Sequence, residues 1–324
     1  MKTLILSFLR ANPDNYVSGE QISEHLGVSR TAIWKHIKAL KAEGYAIDSV
    51  NNKGYRLISD TDEINRSSLE SVINQYSFLD FGRYHTSIDS TNSEAKRLAI
   101  DGDLQGIVVA GEQTRGKGRL GREWASEKDT GLWMSLLLRP NLNPEVVSAI
   151  TLVAAAAMTE AVEALANVKV GIKWPNDLVV NGKKICGILT EMSAEINRLH
   201  YIVIGIGVNV AQLHFPEELS AKATSLKLEG VSLSPKNLLE RFLEAFARCY
   251  GEFLNSEMSR IIDFHKSHSV TLGKDVKLVT PTTERMAYAV DINEDGSLTV
   301  QNESGHLEKI FTGEVSVRGI DQYV

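Results

Sequence analysis

Apolar positions in the first sixty residues recur at helical spacing and then give way to alternating runs. Leu4, Ile5, Phe8 and Leu9 mark one helix, which Pro13, Asp14 and Asn15 break. Ser18, with Gln21 three residues on, has the form of a capping box and predicts a second helix that turns Ile22 and Leu26 inward. Gly27 makes the turn, and Ser29 caps a third helix with Ile33, Ile37 and Leu40 on one face. Two strand-like runs, Tyr45 to Val50 and Tyr55 to Ile58, flank the turn Asn51-Asn52-Lys53-Gly54. Helix, glycine turn, helix and hairpin in this order make a winged helix-turn-helix pattern.

The pattern then turns polar from Ser59 to Asn65, with Asp60, Asp62 and Glu63, which reads as a linker. Beyond Phe81, strands, turns and helices alternate. Thr91 begins a helix with Glu94 as its N3 partner, and Asp89-Ser90-Thr91-Asn92 brings hydrogen-bonding side chains to that N-terminus. Leu132 to Leu138 reads as a strand, Pro144 to Leu165 as a buried helix, and Val170 to Lys173 as a strand entering Trp174-Pro175-Asn176-Asp177. Leu178 to Val180, Asn181-Gly182 and Lys183 to Met192 predict a type I′ hairpin that returns Lys184 beside Asp177. In Tyr201 to Val210, Ile202, Ile204, Ile206 and Val208 alternate with Gly205 and Gly207, and Asn209 ends the strand. Pro235 to Leu254 is amphipathic. His265 and His268 near the end of the next helix read as a solvated face rather than a metal pair, since no third ligand joins them. Short strands from Asp275 to Phe311, with Asp295-Gly296 and Ser304-Gly305 turns, predict a small antiparallel barrel.

Charge sharpens the first of these units. The chain of 324 residues has a formal net charge of -6, which excludes a protein devoted to nucleic acid and confines any such contact to a local patch. Between Ser29 and Leu57, six Lys and Arg face only Glu43 and Asp48. Ser29, Arg30, Thr31, Trp34, Lys35 and Lys38 on the third helix and Lys53 at the wing tip are the expected DNA contacts. Leu4 to Leu9 is too short for a membrane span, and Cys186 and Cys249 match no metal or redox spacing; a cytoplasmic chain with no membrane partner is expected.

The chemistry centres on Gly111 to Trp124, where four glycines alternate with Arg115, Lys117, Arg119 and Arg122. Bare amides and cations in one flexible stretch suit an anion. Gly116-x-Gly118-x-x-Gly121 spells a dinucleotide fingerprint, but no apolar helical period follows it to hold a pyrophosphate. Gly111-x4-Gly116-Lys117 begins a P-loop, but Gly118 stands where a hydroxyl must reach magnesium.

Together, Gly116-Lys117-Gly118-Arg119-Leu120-Gly121-Arg122-Glu123-Trp124, Lys173-Trp174-Pro175-Asn176-Asp177, Lys184-Ile185-Cys186-Gly187-Ile188-Leu189-Thr190-Glu191 and Gly205-Ile206-Gly207-Val208-Asn209 resemble the biotin-protein ligases. With the winged helix ahead of them, the chain resembles the bifunctional form that also represses biotin genes. The resemblance implies an α+β multidomain fold: a winged helix-turn-helix over 1–62, a central mixed-sheet α/β ligase domain over 63–270 and a C-terminal SH3-like β-barrel over 271–324. It implies that biotin and ATP, with Mg2+, give biotinyl-5′-adenylate, and that biotin then passes to one lysine of an acceptor such as the biotin carboxyl carrier protein of acetyl-CoA carboxylase. The adenylate would also promote a homodimer that binds operator DNA.

Carried over by residue, the resemblance implies biotin contacts from Ser90, Thr91, Asn92, Gln113, Lys117, Gly118, Arg119 and Lys184. Nucleotide contacts would come from Arg119, Arg122, Trp124, Asn176, Lys184 and Asn209, and catalysis would rest on Lys184, Arg119 and Asp177. Relatives commonly have Arg where this chain has Lys117, and a lysine loses the planar two-pronged contact. Two alternatives remain open at this point: a ligand-sensing transcription factor without ligase activity, and a lipoate-type protein ligase.

Overall fold

In the structure, a computed structural model, the capping box at Ser18 forms as its spacing predicts. Ser18 Oγ accepts from the Gln21 amide at 3.1 Å, and Gln21 Oε1 accepts from the Ser18 amide at 2.8 Å. All residues are described except 13–14, 43–44, 52, 60–63, 196–197, 281, 312–315, 320–322 and 324. The Pro13-Asp14 break, Glu43, Asn52 of the wing turn and the linker carboxylates Asp60, Asp62 and Glu63 therefore lie outside the described residues. The chain divides into two units, Met1–Gln75 and Tyr76–Val324.

In the first unit, α1 (Lys2–Arg10), α2 (Gly19–Leu26) and α3 (Arg30–Ala42) precede an antiparallel hairpin of β1 (Ala46–Val50) and β2 (Gly54–Ser59). Gly27 ends α2 at φ 66°, a left-handed position that costs a glycine little, and the Ser29 hydroxyl accepts from the Ala32 amide at the start of α3. Ile5, Leu9, Ile22, Ile33, Ile37 and Leu40 form the core, each contributing about 2 kcal/mol of transfer free energy. The structure adds α4 (Arg66–Ile73), which the apolar pattern did not single out. Asn65 and Ser68 cap it reciprocally, Leu69, Val72 and Ile73 are buried, and Glu70 accepts from Thr3 of α1.

The second unit is organised on a seven-stranded mixed sheet. Its strands are β3 (Phe81–His85), β4 (Gly106–Ala110), β5 (Gly131–Leu138), β6 (Gly171–Lys173), β7 (Asp177–Val180), β8 (Lys183–Glu195) and β9 (Arg198–Asn209). Their order is β3-β4-β5-β9-β8-β7-β6, with only β3 and β4 parallel. Asn181 and Gly182 both have positive φ, 49° and 77°, as the type I′ turn between β7 and β8 requires. On one face, Ala95 and Ala99 of α5 (Thr91–Asp101) pack on Val108, Leu137 and Val203. On the other, Thr151 of α6 (Ile150–Leu165) bonds Thr190 at 2.9 Å. The Pro144–Leu165 stretch has the length and hydropathy of a membrane span, but 78% of its most apolar window is buried within this unit. After a short α7 (Glu217–Ser220), the amphipathic α8 (Pro235–Leu254) packs on α6, followed by α9 (Ser259–His268).

The chain ends in a five-stranded antiparallel sheet of β10 (Asp275–Val279), β11 (Glu284–Ile292), β12 (Leu298–Gln301), β13 (Leu307–Ile310) and β14 (Ser316–Arg318), in the order β13-β12-β11-β10-β14. Among the described residues it does not close into the barrel the turn spacing predicts. Gly296 and Gly305 take the left-handed conformation at the two predicted turns.

The histidine pair is corrected by the structure. His265 shares the inward stripe of α9 with Ile261 and Ile262 and is fully buried, its Nε2 donating to Leu152 O at 2.8 Å. His268 stacks on Phe264 and faces Glu163, so neither ring lies on a free solvated face. Burial above all, with His268 nearby, pushes the His265 pKa down to about 4, against the raising effect of the Leu152 bond. The unfolded chain therefore takes up this proton first: stability is full above about pH 6.5 and declines as pH falls toward 4. Between pH 7 and 5, urea unfolding is expected to show wild type losing about 2 kcal/mol more than His265→Gln. Equal losses would remove His265 as the cause.

Candidate functional site

Strand alternation builds the floor of the site. The even positions of β9, Ile202, Ile204, Ile206 and Val208, are buried, and Gly205 and Gly207 lie on the face shared with Val203 and α5. Across the ladder Gly207 pairs with Gly187 of β8, and Gly205 pairs with Ser135 of β5. A Cβ on Gly205 would collide with the Asn92 carboxamide, and one on Gly207 with the Trp124 indole. A Cβ on Gly187 would stand 2.8 Å from the same indole. The glycines are needed because side chains from elsewhere lie flat on the sheet.

One end of this slot is a chain of polar groups. Gln113 Nε2 donates to Ser126 Oγ at 2.8 Å, while its Oε1 accepts from the Thr91 amide at 2.8 Å and lies 3.0 Å from Thr91 Oγ1. Ser135 Oγ donates to Asn92 Oδ1 at 2.6 Å and lies 2.7 Å from Thr91 Oγ1. Asn92 Nδ2 donates to Glu191 Oε2 at 2.8 Å, and Lys96 pairs with Glu191 Oε1 at 2.5 Å. The helix cap falls to Ser90, whose hydroxyl accepts from the Ser93 amide, so Thr91 is released for the slot. Buried hydroxyls and amides fixed this fully by one another present a preset pattern of donors and acceptors.

The middle is Trp124. Its indole covers Gly187 and Gly207, its Nε1 is buried without a hydrogen-bond partner among the described residues, and Lys184 Nζ lies 5.1 Å from its ring centroid. The glycine loop is a hydrogen-bonded excursion rather than an open string. The Trp124 amide donates to Gly116 O at 2.9 Å and the Gly118 amide to Arg122 O at 2.7 Å. No helix follows it, only a three-residue turn at Arg119–Gly121, so neither phosphate motif spelled by its string is built here.

Cations gather at the other end. Lys184 Nζ pairs with Asp177 Oδ1 at 2.5 Å, and Arg119 donates to Asn176 Oδ1 at 3.1 Å, while Asn176 Nδ2 donates to Ile188 O at 2.8 Å. Burial lowers the Arg119 pKa against the attraction of Asp177, with Arg122 lowering it further. Lys173 is pushed down to about 8 by burial, against Asp177, with Lys184, Arg318 and Arg122 adding repulsion. Cations held close at such desolvation cost mark a place prepared for more negative charge than one aspartate supplies.

The structure thus brings together Thr91, Asn92, Gln113 and Trp124, and separately Arg119, Asn176, Asp177 and Lys184. Lys117 is exposed, and the groups whose pKa it helps to lower are Asp89 and Glu191, on the polar side of the slot. Asn209 is buried and its amide donates to Thr224 O at 3.0 Å, so it holds the segment after the strand. Glu191, Lys96, Ser135 and Lys173 were not singled out as site residues by sequence reasoning; Ser135 is one buried hydroxyl in an apolar strand, and that oddity was the available signal. Among the described residues no three His, Cys, Asp or Glu side chains converge as a metal site.

In the first unit, Ser29, Arg30, Thr31, Trp34, Lys35 and Lys38 are all exposed along α3, as is Lys53 in the β1–β2 turn. Trp34 is 53% exposed, with Lys38 Nζ 5.4 Å from its ring centroid. An indole that large left in water beside Lys38, on a helix that also exposes Arg30 and Lys35, is the form of a nucleic-acid contact face.

Comparison with known proteins adds to this geometry. Residues 84–209 match the biotin/lipoate A/B protein ligase family and residues 2–56 match an HTH domain. The chain is 36% identical over 320 residues to the bifunctional ligase/repressor BirA of Bacillus subtilis, covering 98% of each. It is 29% identical over 324 residues to the protein of that name from Escherichia coli, again 98% of each. The solved biotin protein ligase of Aquifex aeolicus in complex with biotin and ATP superposes with a TM-score of 0.64 at 29% identity, over 75% of this chain and all of that one.

Proposed function

The chain belongs to the bifunctional biotin-protein ligase and repressor family, and on that premise we propose which of its residues carry each step. It is an ATP-dependent biotin-[acetyl-CoA-carboxylase] ligase joined to a helix-turn-helix repressor. The observation that carries the site assignment is the slot itself: polar groups at one end, Trp124 on a glycine floor in the middle, cations at the other. Biotin has the same sequence of parts, a ureido head, an apolar ring and chain, and a carboxylate. Thr91, Asn92 and Gln113 then meet the ureido group, with Ser90 holding the helix end that presents them. A lipoyl group brings no ureido donors and acceptors to match this preset polar pattern, a mismatch that discriminates against it.

In the first half-reaction a biotin carboxylate oxygen bonds the α-phosphorus of ATP, the bond to the bridging oxygen breaks, and pyrophosphate leaves with the electron pair. Two anions must meet. Lys184 and Arg119 offset that repulsion, the Gly118 amide and Arg122 lie in the same loop, and Asn176 holds Arg119 in place. Magnesium comes with ATP, held by phosphates and water rather than by a protein cage. In the second half-reaction the acceptor lysine amine attacks the biotinyl carbonyl, forming C–N as the bond to AMP breaks. Asp177 orients that amine and takes its proton. Asn209 steadies the segment at the adenine end.

The adenylate is also the corepressor. In this reading it promotes a homodimer whose two α3 faces read paired operator half-sites, because one winged helix reaches too few bases for a specific site. The C-terminal sheet is of the SH3-like kind, and the protein works in the cytoplasm on a biotin carboxyl carrier domain. Sedimentation with and without biotinyl-adenylate tests the coupling: the monomer-dimer equilibrium is expected to shift toward dimer in parallel with operator binding. An unchanged equilibrium alongside adenylate-stimulated DNA binding would defeat it.

A further inference from the structure

Resting on the assignment of Asp177 to the transfer step, we propose that Tyr323, near the end of the chain, is a positioning residue for that step. Its hydroxyl fixes one oxygen of Asp177 and leaves the other to meet the acceptor amine.

The Tyr323 hydroxyl donates to Asp177 Oδ2. Its main-chain carbonyl accepts from the Lys173 ammonium, which also lies 3.7 Å from the centroid of its ring. Lys173 is itself buried, so the tyrosine is gripped from ring and backbone at once. The target is equally fixed. Trp174, between Lys173 and Pro175, donates its indole N–H to Gly296 O at 3.1 Å and its amide to Thr271 Oγ1 at 3.0 Å, which ties the turn before Asp177 to the C-terminal sheet.

The two oxygens of Asp177 thus have unlike partners, a neutral hydroxyl on Oδ2 and the Lys184 cation on Oδ1. The adenylate phosphate, seated at the cation end, competes with Oδ1 for the Lys184 ammonium. It offers the neutral phenol far less. Burial, and the charge of Asp177 beside it, hold the phenol protonated well above the ordinary tyrosine range, so it stays a donor throughout. Oδ1 is therefore the oxygen released for the amine. It accepts the proton that the lysine nitrogen loses as the amide C–N bond forms and AMP departs with the electron pair.

Tyr323→Phe tests this, because it keeps the ring on Lys173 and the main-chain carbonyl and removes only the hydroxyl. The full-length chain is loaded with purified biotinyl-5′-adenylate and mixed with unmodified biotin carboxyl carrier domain. Transfer kcat is expected to fall about tenfold, the scale of one lost hydrogen bond to a charged group, with the KM for the carrier domain unchanged. On an Asp177→Asn background the same change should have no further effect. Wild-type transfer by Tyr323→Phe, or an equal loss on both backgrounds, would overturn the proposal. If Asp177→Asn alone transfers at the wild-type rate, the assignment of Asp177 falls, and this inference falls with it.

Discussion

Lys184→Ala is expected to slow adenylate formation by on the order of a hundredfold to a thousandfold, while transfer from added biotinyl-adenylate slows by about tenfold or less. The difference follows from where charge accumulates. Carboxylate and triphosphate approach only in the first step, whereas the second begins from an adenylate already bearing a single phosphate charge. Lys184 is held for that approach by the register of β8, with its ammonium between Asp177 Oδ1 and the Trp124 ring. Arg119 stays in place through Asn176, so the variant loses one cation and keeps the loop. Rapid-quench assays of the two half-reactions read this directly. Equal losses in both would make Lys184 a general binding residue.

A chain that begins at Tyr76 is expected to lose site-specific operator binding altogether. The contact face on α3 and the wing belong to the Met1–Gln75 unit, which has its own core of Ile5, Leu9, Ile22, Ile33 and Leu40. The cut belongs at its end, because α4, with Leu69, Val72 and Ile73 buried, is part of that unit and contacts α1. The remaining unit keeps the sheet and the slot with its polar end, Trp124 and its cation end. Persistent protection of one site in a footprint by the shortened chain would show that the helix-turn-helix does not read the operator.

Local rules made much of this legible. The Ser18-Gln21 box, the glycine that ends α2, the Asn181-Gly182 turn and the alternation along β9 each depend on residues a few positions apart, and each forms as read. The glycine face of β9 carried more than its period showed, since only the fold reveals that Asn92 and Trp124 lie on it. Contacts distant in sequence left no such trace. Tyr323 and Asp177 are 146 residues apart, and a single tyrosine in a tail has no period to announce it. Glu191 was visible within a motif, yet its partners Asn92 and Lys96 sit on a helix 99 and 95 residues earlier. His265 was misread for a different reason. It follows Ile261 and Ile262 on the inward stripe, but two histidines three apart drew attention to metal chemistry and solvent instead of to the helical period.

The central claim is that one slot activates biotin and retains the product until an acceptor arrives. Full-length protein is mixed with biotin, ATP and magnesium, passed rapidly through a desalting column, and its bound small molecules are identified by mass spectrometry before and after addition of carrier domain, with lipoate run in place of biotin as the comparison. The slot geometry predicts biotinyl-5′-adenylate near one per chain, discharged to AMP as the carrier lysine is biotinylated, and no lipoyl-adenylate. Unreacted biotin alone on the protein, or lipoyl-adenylate in equal amount, would contradict it.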